Sequence, residues 1–204
     1  QGMTSDGTNL YVADTSNHRI RKIVIATKVV STLAGSGTQG SDDGTGPGAE
    51  FDGPRGITIN GNNLYVVDTD NHKIRKIVIS TGEVSTLAGT GNSGFLDSTT
   101  GTQAKFKEPY GITTDGTNLY VTDNDNYKIR KIVISTGEVT TFAGSTNGYA
   151  NGTGTAAKFS NIKGITTDGT NLYVADRTNN RIRKIVIATR VVSTLAGSGT
   201  QGSD

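Results

Sequence analysis

The sequence predicts an all-β fold built from four similar antiparallel units. The pattern L-Y-V-x-D recurs four times at spacings of 54, 55 and 53 residues, and a basic heptad such as N-H-R-I-R-K-I follows it each time. No stretch of useful length has the periodicity of an amphipathic helix. A repeat of this size indicates one supersecondary unit per copy.

Each copy predicts four short strands joined by tight turns. In the second copy the strand G-I-T at 56–58 leads to an Asn-Gly pair, whose glycine supplies the positive φ of a hairpin, and then to L-Y-V-V-D. The basic heptad opens a third strand rich in β-branched residues, and a turn at 80–83 opens the fourth, V-S-T-L-A-G. A long linker rich in Gly, Ser and Thr then ends in an A-x-F element at Phe51, Phe106 or Phe159.

Four-stranded meanders at a fixed period predict a β-propeller, whose blades pack face to face around an axis. Since a blade has neighbours on both faces, its strands can carry continuous apolar runs, as at the end of R-I-R-K-I-V-I. The linker Phe is expected to fill the seam between two blades. We predict one propeller segment over 1–204, with blades at 1–54, 55–109, 110–162 and 163–204.

The order G-I-T, L-Y-V-x-D and N-H-R-I resembles the NHL repeat, which is named after an Asn-His-Leu segment. The resemblance covers all four copies and implies an NHL-type propeller of four-stranded antiparallel blades. The copies depart from the family pattern in two ways. The histidine is kept at His18 and His72 but replaced by Tyr127 and Asn180, and the units are longer than the usual forty-odd residues because of the linker.

The four blades are expected to belong to a larger array or to be completed by another chain. Residues 1–42 and 163–204 differ at only seven positions, as if a block of three units began again at the fourth copy. NHL propellers commonly have six blades, which two such blocks would supply. Closure of four blades on themselves and a stack of copies are the alternatives, since an open arc would leave two apolar faces bare. The start at Gln1, with neither a signal peptide nor an initiator Met, indicates a processed or excised product.

Composition gives little support to catalysis. The chain has no cysteine, which excludes disulfides and thiolate metal sites, and only two histidines. The segment Asp68-Thr69-Asp70-Asn71 faintly resembles the start of a calcium loop but lacks its later glycine and glutamate. We therefore predict no enzyme activity, no cofactor, and no catalytic or metal-binding residue.

Twelve of the twenty Lys and Arg residues fall in the four heptads, at equivalent strand positions. Some NHL propellers bind single-stranded RNA, so a basic ring is a candidate polyanion contact. The alternative is that these residues are solvated cations paired with acidic neighbours. Three heptads have no aromatic residue for base stacking, so nucleic acid is the less favoured partner. The candidate contacts are Arg19, Arg21, Lys22, Lys73, Arg75, Lys76, Lys128, Arg130, Lys131, Arg181, Arg183 and Lys184.

An Asp and an Asn, three residues apart, flank the turn before each heptad. The carboxylate can accept backbone N–H bonds across this turn, and the Asn tolerates left-handed geometry. We interpret these residues as structural. They are Asp14, Asn17, Asp68, Asn71, Asp123, Asn126, Asp176 and Asn179.

In a meander, the turn between the second and third strands and the linker to the next unit lie at the same end of the sheet. The long linkers should therefore share one surface with the Asp and Asn turns. They are also the most variable parts of the copies, and variable loops on a fixed scaffold are where a partner would bind. The candidate partner-binding residues there are Phe95, Leu96 and Tyr149.

These patterns favour a non-catalytic scaffold for protein interaction or self-assembly. The expected setting is a structural or adhesive segment of an extracellular, bacterial-type surface protein without membrane insertion, whose partners are other proteins or copies of itself. One alternative is an RNA or polyanion binder that uses the basic heptads. A further alternative is the non-catalytic part of a larger enzyme or sensor.

Overall fold

The computed structural model describes residues 2–202 as four antiparallel sheets, so the predicted outer bounds 1 and 204 lie outside the described residues. We number the sheets blades 1 to 4. Blade 1 contains β1 (Met3–Ser5), β2 (Asn9–Asp14), β3 (Arg19–Val24) and β4 (Val30–Ala34). Blade 2 contains β5 (Gly44–Thr45), β6 (Pro54–Asn60), β7 (Asn63–Asp68), β8 (Lys73–Val78) and β9 (Glu83–Ala88).

Blades 3 and 4 repeat this order. Blade 3 contains β10 (Pro109–Thr114), β11 (Asn118–Asp123), β12 (Lys128–Val133) and β13 (Val139–Ala143). Blade 4 contains β14 (Gly152–Thr153), β15 (Ile162–Thr167), β16 (Asn171–Asp176), β17 (Arg181–Val186) and β18 (Val191–Ala196). Short 3₁₀ turns occur at Thr15–Asn17, Gly46–Gly48, Gly101–Gln103, Asn124–Asn126 and Gly154–Ala156. No helix within residues 2–202 has the length and hydropathy needed to span a bilayer.

An aspartate organises the first hairpin in three of the blades. In blade 3 the Oδ1 atom of Asp115 accepts the backbone N–H groups of Thr117 and Asn118, while its Oδ2 accepts the Tyr120 hydroxyl at 2.9 Å. These bonds stabilise the carboxylate and lower the pKa of Asp115, although burial opposes them. The short motif D-G-T-N-L-Y thus encodes both the turn and the anchoring of the tyrosine that follows.

The linker phenylalanines fill the seams between blades, as predicted. Phe51 is completely buried in a cluster that takes Tyr11 and Ile20 from blade 1 and Leu64 and Ile77 from blade 2. Equivalent clusters surround Phe106 and Phe159 at the next two seams. Because each cluster draws on two blades and their linker, the repeats depend on each other for burial.

The linkers also extend the outer edges of the sheets, which the four-strand prediction did not include. β5 pairs with β9 through Gly44 and Thr45, and β14 pairs with β18 in the same way. In blade 3 the corresponding contact is a single bridge between Ser98 and Val139. These pairings cover an edge that would otherwise expose unpaired N–H and C=O groups. Two-residue strands are too short to leave a periodic signal in sequence.

The four blades form an open set. The innermost strands β1, β6, β10 and β15 follow one another around the axis, and seams form between blades 1 and 2, 2 and 3, and 3 and 4. Blade 4 leaves one face exposed at Ile182 and Leu195, and blade 1 leaves the opposite face exposed at Met3 and Val30. The structure is therefore a partial propeller, and the alternative of four blades closed on themselves is wrong for it.

Candidate functional site

A buried arginine ties each linker to the blade that follows it. In blade 2 the Nη1 atom of Arg75 donates to Oδ2 of Asp68 at 2.8 Å and to the carbonyl of Glu50 at 2.9 Å. Its Nη2 atom donates to Oδ1 of Asp43 at 2.7 Å and to the carbonyl of Asp42 at 2.9 Å. We call this arrangement of arginine, turn aspartate and preceding linker the linker clamp.

The same clamp recurs in blades 3 and 4. Arg130 donates to Asp123, Asp97 and the carbonyls of Lys105 and Leu96. Arg183 donates to Asp176, to the side-chain oxygen of Asn151, and to the carbonyls of Lys158 and Ala150. Each guanidinium also lies over its linker phenylalanine, at 5.2 Å from the Phe51 ring and 5.0 Å from the Phe106 and Phe159 rings.

The burial of these arginines corrects the interpretation of the basic heptads. The side chains of Arg75, Arg130 and Arg183 have 0% exposure, so they can neither touch a polyanion nor act as solvated cations. Sequence could not show this, because the linker groups that enclose each guanidinium lie about 25 to 34 residues away, and only the turn aspartate is close in sequence. A charge buried with so many partners is stable only while all of them are in place.

The other heptad cations are more accessible. Arg19, Lys128 and Arg181 donate to the linker carbonyls of Ser36, Ser145 and Ser198 respectively, and Lys73 donates to the Ser41 hydroxyl. The last cation of each heptad is partly exposed and pairs across the sheet with the L-Y-V tyrosine. These residues are Lys22, Lys76, Lys131 and Lys184.

The turn aspartates of blades 2 to 4 accept a backbone hydrogen bond from the linker and not from the turn. Oδ1 of Asp68 accepts the N–H of Asp52, and Oδ1 of Asp123 accepts that of Lys107. Burial raises the pKa of Asp68 to about 6, against the opposing effect of its bonds to Asn71 and Arg75. The pKa of Asp123 is raised for the same reason.

The asparagines bind the aspartate and the linker together. The Nδ2 atom of Asn71 donates to Asp68 and to the carbonyl of Gly40, and Asn126 and Asn179 make the equivalent pairs of bonds. In blade 1 Asn17 donates to Asp14. The left-handed geometry expected at these asparagines falls one residue later. It is found at His18, His72, Tyr127 and Asn180.

The candidate partner-binding residues lie on the linker side of their blades and remain exposed. Phe95 and Leu96 are 48% and 46% exposed, and Tyr149 is 43% exposed. The Phe95 ring nevertheless lies 4.9 Å from the guanidinium of Arg130, and the Tyr149 ring lies 4.9 Å from that of Arg183. Both aromatic residues therefore contact the clamp arginine of the blade that follows their linker while they remain partly exposed.

The two end faces are the largest departures from the repeat. Ile182 of blade 4 is 40% exposed, whereas its equivalents Ile20, Ile74 and Ile129 are completely buried. Val30 of blade 1 is 51% exposed, whereas its equivalents Val84, Val139 and Val192 are buried. A shallow apolar groove runs over the open face of blade 4 between Ala175, Ile182 and Ala196.

The clamp of blade 1 is also looser. Arg21 is 28% exposed, its Nη1 lies 3.8 Å from Oδ2 of Asp14, and its Nε donates to the carbonyl of Ser31 at 3.3 Å. Asp14 is itself 28% exposed, whereas Asp68, Asp123 and Asp176 are completely buried. Blade 1 thus carries the clamp residues without the enclosing linker.

The structure contains a cationic cluster at the axis that the sequence patterns did not indicate. The charged groups of Arg55 and Lys163 lie 5.3 Å and 4.4 Å from the centre of the Tyr110 ring. Burial and the charges of Arg55 and Arg177 lower the pKa of Lys163. These positions precede the inner-strand glycines, where a Cβ at Gly56 would come within 2.5 Å of the Tyr110 carbonyl oxygen. Within residues 2–202 no group of three or more His, Asp or Glu residues is placed to hold a metal ion.

Known proteins share the repeat of this chain. The NHL repeat family matches residues 51–77, which run from the linker phenylalanine through the second heptad. NHL repeat-containing protein 2 of Homo sapiens is 34% identical over 235 residues, covering 98% of this chain and 32% of the relative. The chain therefore spans about a third of the length of this curated relative.

Solved structures agree on the fold. A protein of unknown function from Bacteroides thetaiotaomicron has a TM-score of 0.74 at 25% identity, over 94% of this chain and 47% of that one. An auxiliary nutrient binding protein from the same species has a TM-score of 0.71 at 22% identity, over 92% of this chain and 46% of that one. Fold and repeat together define a β-propeller repeat protein. The chain belongs to the NHL-repeat family.

Proposed function

We propose that this chain is a non-catalytic scaffold that associates with protein, including copies of itself, through its uncovered blade faces. The observation that carries the proposal is the contrast at equivalent positions. Residues buried at all three internal seams, such as Ile129 and Val84, are exposed at the ends as Ile182 and Val30. Exposed contiguous apolar surface of this kind marks an interaction site.

Light scattering over a range of protein concentrations tests the proposal. We expect a dimer or a growing polymer, and association that persists at high salt because the contact is apolar. A monomer at every concentration would contradict self-association. Association that disappears as salt rises would contradict the apolar faces as its cause.

A setting outside the cell, in a structural or adhesive part of a bacterial-type surface protein, belongs to the same proposal. Its support is the Gly-, Thr- and Asn-rich, near-identical copies, which suit surface arrays. Protease treatment of intact source cells provides the test: loss of the protein signal supports an exposed location, and full protection while the cells stay closed contradicts it.

A second candidate, binding of a polyanion, is favoured by one specific observation. Lys22, Lys76, Lys131 and Lys184 are partly exposed at the same register in every blade. Fluorescence anisotropy with a labelled single-stranded RNA should then give an affinity that falls steeply with salt. No binding at low salt would exclude this candidate.

A further inference from the structure

We propose that Arg55, Tyr110 and Lys163 form a site at the propeller axis that binds a small organic anion with a carboxylate head and an apolar body. The three residues belong to the inner strands β6, β10 and β15, so the site is built within blades 2 to 4. This inference goes beyond the proposed function and does not depend on association through the uncovered blade faces.

The three side chains occupy the same irregular position of the inner strand. In each of these blades the pairing of the first two strands shifts register across one residue pair that ends in glycine. These pairs are Arg55-Gly56, Tyr110-Gly111 and Lys163-Gly164. A β-bulge redirects a side chain away from the regular alternation of a strand, and bulges are frequent beside functional sites. Here the bulges bring both cations onto the ring of Tyr110.

The charged groups of Arg55 and Lys163 have no anionic partner within residues 2–202. Neither half-buried side chain forms an ion pair or donates a hydrogen bond in that range, and Nε of Arg55 is buried without an acceptor. The clamp arginine Arg75 also lies over an aromatic ring, yet its guanidinium donates four hydrogen bonds. Partly buried cations without carboxylate partners are unfavourable, and a bound anion would offset that cost.

Nearby carboxylates compensate this positive charge only in part. The charges of Glu108 and Asp125 raise the pKa of Lys163, but burial and the charges of Arg55 and Arg177 outweigh them and lower it. A lysine whose pKa is lowered by neighbouring cations lies in a positive potential. The same potential attracts an anion to this part of the axis.

A cavity beside these cations has the size and lining of a small-molecule site. Its volume is about 340 Å³, within the range of about 300 to 1,000 Å³ for small-ligand pockets. Arg55 and Tyr110 line it together with Ile57, Ile112 and Ile165. The planar fork of N–H donors on an arginine matches a carboxylate, and the isoleucines suit an aliphatic chain. These features favour an amphipathic carboxylate over an inorganic anion.

Saturation-transfer NMR with hexanoate tests the proposal, because the method observes the ligand, detects weak binding and tolerates association of the protein. We expect hexanoate to bind at least about tenfold more tightly than acetate, which lacks the apolar body, or 1-hexanol, which lacks the charge. Equal binding of hexanoate and 1-hexanol would overturn the role of the cations. Equal binding of hexanoate and acetate would overturn the apolar part of the site, and no binding of hexanoate at low salt would overturn the site itself.

Variants at the two cations test where hexanoate binds. We expect its dissociation constant to rise about tenfold for Arg55→Gln, which removes the fork of donors, and about threefold for Lys163→Gln, which removes a nearby charge. Lys158→Gln is the matched control, since it removes an exposed cation from a linker, and it should leave the constant unchanged. Equal constants for Arg55→Gln and Lys158→Gln would overturn the assignment.

A conservative variant separates ligand binding from a loss of folding. Arg55→Lys keeps the charge without the fork, so its dissociation constant for hexanoate should fall between those of the parent chain and Arg55→Gln. Circular dichroism should show the same β structure in all these variants, because the Arg55 side chain makes no hydrogen bond within residues 2–202. Arg55→Lys that binds as weakly as Arg55→Gln, with its fold intact, would contradict a charge-based contact. A chain that binds hexanoate but stays monomeric would contradict self-association and not this site.

Discussion

The clamp arginines of blades 1 and 2 occupy the same place in the repeat but very different environments. Arg21 pairs in register with Val12, as Arg75 does with Val66. Arg75 nevertheless has a fully buried side chain with two carboxylate partners, while Arg21 is 28% exposed and its carboxylate contact is 3.8 Å long. The difference comes from the linker, which encloses the second arginine and not the first. The same residue type at the same position of the repeat can therefore be fully buried in one blade and partly exposed in another.

The same comparison holds for apolar side chains. Ile129 is buried at the seam between blades 3 and 4, and Ile182, at the same position in blade 4, is 40% exposed. Stability should consequently be concentrated at the three seams. Variants at buried and exposed positions of the repeat test this contrast. Where association would interfere, each stability is measured in an Ile182→Asp or Val30→Asp background, which places a charge on an open blade face.

The largest effect is expected from Arg130→Ala. Removal of one member of a buried pair leaves Asp123 without its charge partner and adds a cavity, at a cost of about 5 kcal/mol in the free energy of unfolding. Arg21→Ala should cost less than about 1 kcal/mol, as for a surface pair. Urea denaturation checks both values. Similar costs for the two variants would contradict the difference between the clamps.

Phe106→Ala should have the second largest effect and lower the free energy of unfolding by about 4 kcal/mol, because it leaves a cavity in the seam between blades 2 and 3. Phe95→Ala is the matched control in the same linker. It should cost less than about 1 kcal/mol, because the ring is 48% exposed. Urea midpoints that shift equally would show that the linker phenylalanine does not join the blades.

Ile129→Ala should destabilise the chain by about 3 kcal/mol, the usual cost of removing a buried isoleucine side chain. For Ile182→Ala, in the monomeric Val30→Asp background, we expect less than about 1 kcal/mol. Denaturation at low protein concentration provides the comparison. A large loss at Ile182 in the monomer would mean that the face of blade 4 is covered within one chain.

Tyr120→Phe should cost about 1 kcal/mol, because it removes a hydrogen bond from the hydroxyl to Asp115 in a partly buried hairpin. The equivalent Tyr173→Phe removes a bond to Asp168 that is exposed, so its effect should be smaller. Thermal unfolding of the two variants against the parent chain measures the ranking. The reverse order would indicate that burial does not increase the contribution of the tyrosine–aspartate hydrogen bond to stability.

The contributions of the hairpin aspartate Asp115 and the turn aspartate Asp68 to stability should change with pH in opposite directions. The lowered pKa of Asp115 gives stability that is present above about pH 4 and is lost as the pH falls toward its folded pKa. Asp68 has a raised pKa of about 6, so its contribution is present at low pH and declines as the pH rises toward 6.

Thermal midpoints between pH 3 and 7 can separate the two contributions. Asp115→Asn should remove part of the loss of stability on acidification and leave the opposing contribution of Asp68 unchanged. An unchanged acid dependence in this variant would contradict the assignment to the hairpin carboxylate.

Sequence patterns predicted most of the fold and only part of the site. The hairpins, the strand order and the position of Phe51 follow from local turn chemistry and the spacing of the repeats. The pairing of Asn71 with Asp68 was accessible from their three-residue separation. The patterns did not predict contacts between residues that are far apart in sequence, such as Arg75 and Asp43. The residues around Arg75 do not indicate that a distant linker will bury its charge.

The sequence by itself determined that each copy is a blade, because hairpin turns and strand patterning act within a single unit of the repeat. Only the tertiary structure decided which faces are core. Residues 1–42 and 163–204 are nearly identical, yet blade 1 exposes Val30 and buries Ile20, whereas blade 4 buries Val192 and exposes Ile182. Burial is a property of the neighbour that covers a face, and two copies of one sequence differ in structure because their neighbours differ.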